Sequence, residues 1–167
     1  MNYLSPTDIF KLEKKANEIR QSIIEMLVAA GSGHTAGPLD MADVFTLLYF
    51  SVMRHDPKNP QWEERDKLVL SAGHICPVLY ATLAHAGYLP IEELLTLRKF
   101  GSRLQGHPHR ESLPGLETSS GPLGSGLSQA VGMAIAERMD NPYTSKVIYC
   151  ITGDGELEEG QIWEAAM

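Results

Sequence analysis

A carboxylate between two glycines, Gly153-Asp154-Gly155, follows the apolar run Ile148-Tyr149-Cys150-Ile151-Thr152 and precedes a helical pattern over Gln161 to Met167. That order suits a metal-bridged diphosphate. Lys146 to Thr152 is rich in β-branched and aromatic residues and lacks polar alternation, which predicts a strand buried on both faces. Asp154 then lies just beyond the strand's carboxyl end, where open α/β sheets bind ligands. Small residues there let backbone N–H groups approach phosphate oxygens, and a hard carboxylate can share Mg2+ with them. The tripeptide alone also fits an ordinary turn closed by an Asx hydrogen bond.

Three more segments set a histidine after a glycine: Ser32-Gly33-His34-Thr35-Ala36-Gly37-Pro38-Leu39, Ser71-Ala72-Gly73-His74, and Leu104-Gln105-Gly106-His107-Pro108. The second ends a strand-like run, Arg65 to Leu70, so His74 is offered at a sheet edge, where an imidazole can donate to a phosphate oxygen. A solvated loop histidine at position 34 and a locally satisfied helix-start histidine at position 74 are the plainer readings. Gly31 to Ala36 also matches a loose dinucleotide fingerprint, but a helix precedes it where a strand is required. Gly121-Pro122-Leu123-Gly124-Ser125-Gly126 leads into a small-residue helix from Gln129 to Ala136 and reads equally as a tight loop feeding a core helix. His109 is expected to face solvent. His55, beside Asp56-Pro57, looks like turn chemistry, and His85 lies on a helix face; neither is given a role.

Extended to Gly-Asp-Gly-Glu-Leu-Glu-Glu-Gly-Gln-Ile-Trp-Glu-Ala over residues 153–165, and joined by the other motifs in order, the sequence resembles the thiamine-diphosphate signature of transketolases. The likeness is closest to the separate N-terminal subunit of split transketolases and runs from about Ser32 to Met167. It implies an α/β fold, a doubly wound parallel sheet flanked by helices, and reversible transfer of a two-carbon ketol unit from a ketose phosphate to an aldose phosphate, as in the pentose phosphate pathway. By the same likeness His34 and His107 face the sugar, His74 contacts the cofactor diphosphate, and Gly121, Pro122 and Leu123 pack near the aminopyrimidine. Gly153, Asp154 and Gly155 anchor phosphate and Mg2+, with Asp154 the metal ligand. Glu159 matches the glutamate of a proton-conducting interface, where a buried carboxylate would have a raised pKa; a helix-start capping role explains it nearly as well. His34, His74, His107 and Glu159 are thus the implied catalytic set.

Ala36-Gly37 and Asp40 depart from the family's commoner Gly-Ala-Pro-Leu-Gly form. The family also places an asparagine metal ligand roughly 25 to 30 residues after Gly-Asp-Gly. Met167 comes first, in what reads as a helix cut in mid-course. A fragment is the simplest expectation, and the expected partner is a separate C-terminal, pyrimidine-binding subunit, in a dimer of heterodimers. The alternatives are a relative of deoxyxylulose-phosphate synthase, which shares the cofactor, and a non-catalytic assembly module.

The elements that must hold these motifs are legible as periodic segments. Ile9, Phe10, Leu12, Ala16, Ile19, Ile23, Met26 and Leu27 mark an amphipathic helix ending near Gly31. Further helices are expected from Pro38 to about Met53, from Val78 to Ala86, and from Ile91 to about Lys99, alternating with strands as in a parallel sheet. Gly101 to Gly126 reads as a long functional or disordered loop. The 167 residues, 43% hydrophobic, suit one incomplete domain over 1–167. A net charge of −7 without a basic patch argues against nucleic acid. Cys76 and Cys150 offer neither a disulfide framework nor metal spacing, which with the charged start suits the cytoplasm. The uncharged stretch Leu68 to Ile91 is broken by prolines, glycines and histidines, so buried structure is expected there and no membrane span.

Overall fold

The structure, a computed structural model of the chain, describes residues 4–167. Helix α1 (Pro6–Ala30) starts where Ser5 accepts the Asp8 N–H with its hydroxyl at 3.2 Å and stops at Gly31, whose φ of 64° closes the last turn onto Leu27. Ala16, Ile19, Ile23, Met26 and Leu27 are buried as their spacing requires. Ile9 and Phe10, at the start of the same stripe, are exposed, because α1 packs its later turns against the following elements.

The single helix expected to reach Met53 is instead α2 (Ala36–Asp40), α3 (Ala42–Leu47) and a wide π turn over Leu48–Val52. The wide turn buries Tyr49 and leaves its carbonyl to accept from His55 Nε2 at 2.7 Å. His55 is therefore held in place, with Tyr88 Oη 3.1 Å from its Nδ1, rather than being turn chemistry.

Strand β1 (Lys67–Leu70) leads through a 3-10 turn, Gly73–Ile75, into α4 (Cys76–Ala86), which is buried from Cys76 to Ala84. Ile91–Thr96 is 3-10 rather than α-helical. Its buried residue Leu94 and the buried Leu97 that follows its last turn stand three apart, the period of the tighter helix. Helix α5 (Ser125–Asp140), strand β2 (Ile148–Ile151), a 3-10 turn (Gly155–Glu158) and α6 (Gly160–Ala166) complete the described chain.

β1 and β2 pair in parallel, Lys67 opposite Ile148 and Leu70 opposite Ile151. Leu68, Leu70, Tyr149 and Ile151 face the main core with α1, α3 and α4. Alternation turns Val69 and Cys150 to the other face, where α5 packs on both strands. Helices thus cover both faces. β2 is only half-buried along its length, against the expected burial, whereas β1, with the same single strand neighbour among the described residues, is buried from Leu68 to Leu70. The amino ends of the strands are tied by Asp66, which accepts from Arg54 N, Arg54 Nη2 and Val147 N at 2.8, 3.0 and 2.9 Å. The long loop before α5 is pinned by buried Leu104, Leu113 and Leu116 and by Glu117 paired with Arg65. No helix among the described residues is long and apolar enough to cross a membrane.

Candidate functional site

Because the strands are parallel and in register, the residues after Leu70 and after Ile151 leave the sheet side by side, with the Ser71 N–H donating to the Ile151 carbonyl at 2.9 Å. His74 and Asp154 therefore lie at the same carboxyl edge. Two close approaches bring the remaining motifs there. A Cβ on Gly37 would come within 2.6 Å of Ile75 Cγ2, so the start of α2, just after the loop carrying His34, packs closely on the turn carrying His74. A Cβ on Gly126 would lie 2.6 Å from Ser71 Cα, so α5 can begin against the end of β1 only with glycine there.

The His34 and His74 rings are 4.9 Å apart, centre to centre, tilted by 56°. His107 lies within electrostatic reach of both: lost hydration first, then the Arg98 guanidinium and any proton taken up by His74 or His34, depress its pKa below the ordinary value. The turn that carries it hangs from α4. Tyr80 Oη donates to the Gln105 carbonyl at 2.9 Å, and Cys76 Sγ donates to the Gly106 carbonyl at 3.2 Å. Burial pushes the Cys76 thiol up to about 12, so it remains a donor. Arg98, the one non-glycine among the described residues with positive φ (59°), lays its guanidinium against Gly106. These supports went unread in the sequence; the i, i+4 spacing of Cys76 and Tyr80 was their only signal.

Asp154 is exposed, and among the described residues its carboxylate has no hydrogen-bond partner, so the turn is closed by backbone bonds from Leu157 rather than by an Asx bond. Glu159 is exposed and makes no side-chain cap at the start of α6. The buried carboxylate of this segment is Glu156, which sequence reasoning passed over. Pro122 and Leu123 are exposed at the same edge, with Gly121 and Gly153 half-buried.

The donors suit a metal-bound diphosphate. Beside the uncommitted Asp154 carboxylate, Gly155 has nothing within 4 Å of where a Cβ would stand, and neither has Gly121. Ser120, against Gly73, keeps a buried hydroxyl without a partner among the described residues. One carboxylate does not make a complete cation shell, and among the described residues no three His, Cys, Asp or Glu groups converge on one.

Fold and cleft together define a parallel α/β domain with a histidine cluster and a free carboxylate at the ligand-binding edge of its sheet. Residues 12–167 match the model of the family described as transketolase, thiamine diphosphate binding domain. The chain is 49% identical over 156 residues to the 6-deoxy-6-sulfo-D-fructose transketolase subunit of Clostridium sp. (strain MSTE9), covering 93% of this chain and 56% of that protein. It is 43% identical to an apulose-4-phosphate transketolase subunit of Actinobacillus succinogenes, covering 94% of this chain and 56% of that one. The solved transketolase of Leishmania mexicana superposes with a TM-score of 0.86 at 40% identity, over 92% of this chain and 24% of that one. The chain belongs to the transketolase thiamine diphosphate binding domain family. It spans about half the length of the curated subunits it matches and about a quarter of the solved transketolase.

Proposed function

We propose that the chain forms the diphosphate- and Mg2+-binding part of a transketolase, moving a two-carbon ketol unit between a ketose phosphate and an aldose phosphate in the cytoplasm. The observation that carries this reading is the meeting of His34, His74 and His107 at the sheet edge that also bears the free Asp154 carboxylate. Thiamine diphosphate, when bound, supplies the electron sink that lets a carbon–carbon bond beside a carbonyl break and re-form. The residues of this chain bind and orient. Asp154 and Gly155 hold the metal and phosphate oxygens, His74 donates to the diphosphate, and Gly121 to Leu123 bound the cofactor's aminopyrimidine side. His34 and His107 hold sugar hydroxyls, and the neutral His107 ring favoured by its surroundings can accept a hydroxyl proton or donate its own. Glu159 is given the contact with a second subunit, consistent with its exposure. A separate pyrimidine-binding C-terminal subunit, in a dimer of heterodimers, completes the site. The relatives' names, one specifying a sulfonated and the other a phosphorylated sugar, support an anionic sugar as substrate class.

Calorimetry with Mg2+ and thiamine diphosphate, in the presence of the partner subunit, tests the reading. Asp154→Ala is expected to abolish metal-dependent binding, whereas His107→Ala leaves cofactor affinity near wild type and slows ketol transfer by about 10²- to 10⁴-fold. Unchanged cofactor affinity in Asp154→Ala would refute the metal assignment. Turnover of pyruvate with glyceraldehyde phosphate, in place of xylulose phosphate with ribose phosphate, would move the chain to the synthase reading.

A further inference from the structure

Glu156 is 2% exposed, although Leu157, Glu158 and Glu159 beside it are exposed. Its Oε1 accepts from the Ser71 hydroxyl and from the Gly124 N–H at 2.8 Å, and its Oε2 accepts from the Gly153 N–H at 2.9 Å. The Ser71 hydroxyl oxygen in turn accepts the Gly126 N–H at 3.1 Å. One carboxylate thus joins the end of β1, the loop from Gly121 to Gly126 and the turn carrying Asp154.

We propose that Glu156 is a positioning residue: it fixes the Gly153-Asp154-Gly155 turn against the Gly121–Gly126 loop and thereby sets the affinity of the site for a magnesium-bound diphosphate. This rests on the proposed function for the identity of the ligand, and on the hydrogen bonds alone for the fixing of the turn. The chemistry requires a group that only accepts. Three donors converge on the two oxygens, from Ser71, Gly124 and Gly153. A glutamine keeps the shape but replaces one oxygen by an NH2 group. Turned one way, that NH2 faces the Gly153 N–H; turned the other way, it faces the Gly124 N–H. Either orientation sets donor against donor. Retaining the doubly bonded oxygen on Ser71 and Gly124 releases Gly153, and with it the hinge of the Asp154 turn.

Two readouts on the full chain, with the partner subunit present for binding, test this. In Glu156→Gln, amide hydrogen exchange at Gly153 is expected to quicken, and Mg2+–thiamine diphosphate affinity to fall by about 10- to 100-fold. Ser71→Ala is the control for a general loosening, because it removes another member of the knot while leaving the Gly153 bond intact. Its affinity is expected to stay within about threefold of wild type. Equal losses of affinity in the two variants, or wild-type Gly153 exchange and wild-type affinity in Glu156→Gln, would overturn the positioning role. Should the wild-type pair fail to bind the cofactor, the proposed function falls; Gly153 exchange in Glu156→Gln then still decides whether this carboxylate fixes the turn.

Discussion

His107 stands near the Arg98 guanidinium and the rings of His74 and His34. Lost hydration leads, and the charges of Arg98, His74 and His34 add to it, so its imidazole titrates below the ordinary 6.5. An NMR titration of the ring is expected to give a midpoint below 6.5, moving upward in Arg98→Gln yet staying below the ordinary value, because the partial loss of hydration at this otherwise exposed ring is the larger cause. A midpoint unmoved by that substitution would remove Arg98 from the account. The sign for stability follows from which state protonates first. Between the lower folded value and the unfolded one, the unfolded chain takes up the proton as pH falls, so stability declines through that window and is unaffected above it.

Among the elements, the sheet is short, and its register depends on what ties its ends. At the amino ends the tie is Asp66. Burial works against its charge, but hydrogen bonds from the Arg54 side chain and from the backbone of Arg54 and Val147 hold its carboxyl below the ordinary 3.8. Asp66→Ala is expected to cost about 2–4 kcal/mol in urea denaturation, as three donors lose a buried partner. Its stabilisation is present above the unfolded carboxylate value and is lost as pH falls through the lower folded value, so the gap between wild type and variant closes in acid. A gap that persisted at low pH would point to lost packing instead of lost charge.

Such ties explain what could be read in advance at this scale. The stripe Ile19, Ile23, Met26 and Leu27 was legible because its burial follows a local period, and the two strands because their residues are apolar and rich in β-branched side chains. Glu156 did not, since its partners Ser71 and Gly124 stand 85 and 32 residues away and nothing in the run Glu156-Leu157-Glu158-Glu159 distinguishes the carboxylate that turns inward. The half-exposure of β2 was hidden for a related reason: apolar composition records what a strand can be packed against, not which neighbours the described chain supplies. The 3-10 turn at Ile91–Thr96 was read as an ordinary helix, because two buried leucines, Leu94 and Leu97, are too few to separate a period of three from one of 3.6.

At the scale of the whole molecule, the histidine cluster and Asp154 lie at a sheet edge open to water. His34, His107 and Asp154 are all exposed. Nearby helices carry large apolar groups outward: Ile135 and Met139 on α5 are 54% and 78% exposed, and Trp163 on α6 is 60% exposed. Charge on a reacting sugar is stabilised far better by fixed dipoles in a water-excluded site than by the same groups in an open cleft. On the proposed reading, a lone copy of this chain supplies groups for a diphosphate but not the enclosure for the transfer. Two-carbon transfer from xylulose phosphate to ribose phosphate is accordingly expected to be undetectable with this chain alone and to appear on titration with a pyrimidine-binding transketolase subunit, saturating at a fixed ratio of the two. The same titration should quench or shift the Trp163 fluorescence if that helix is part of what becomes covered. Full activity in the chain alone would mean that the cleft encloses its substrate without help, and the requirement for a second subunit would be wrong.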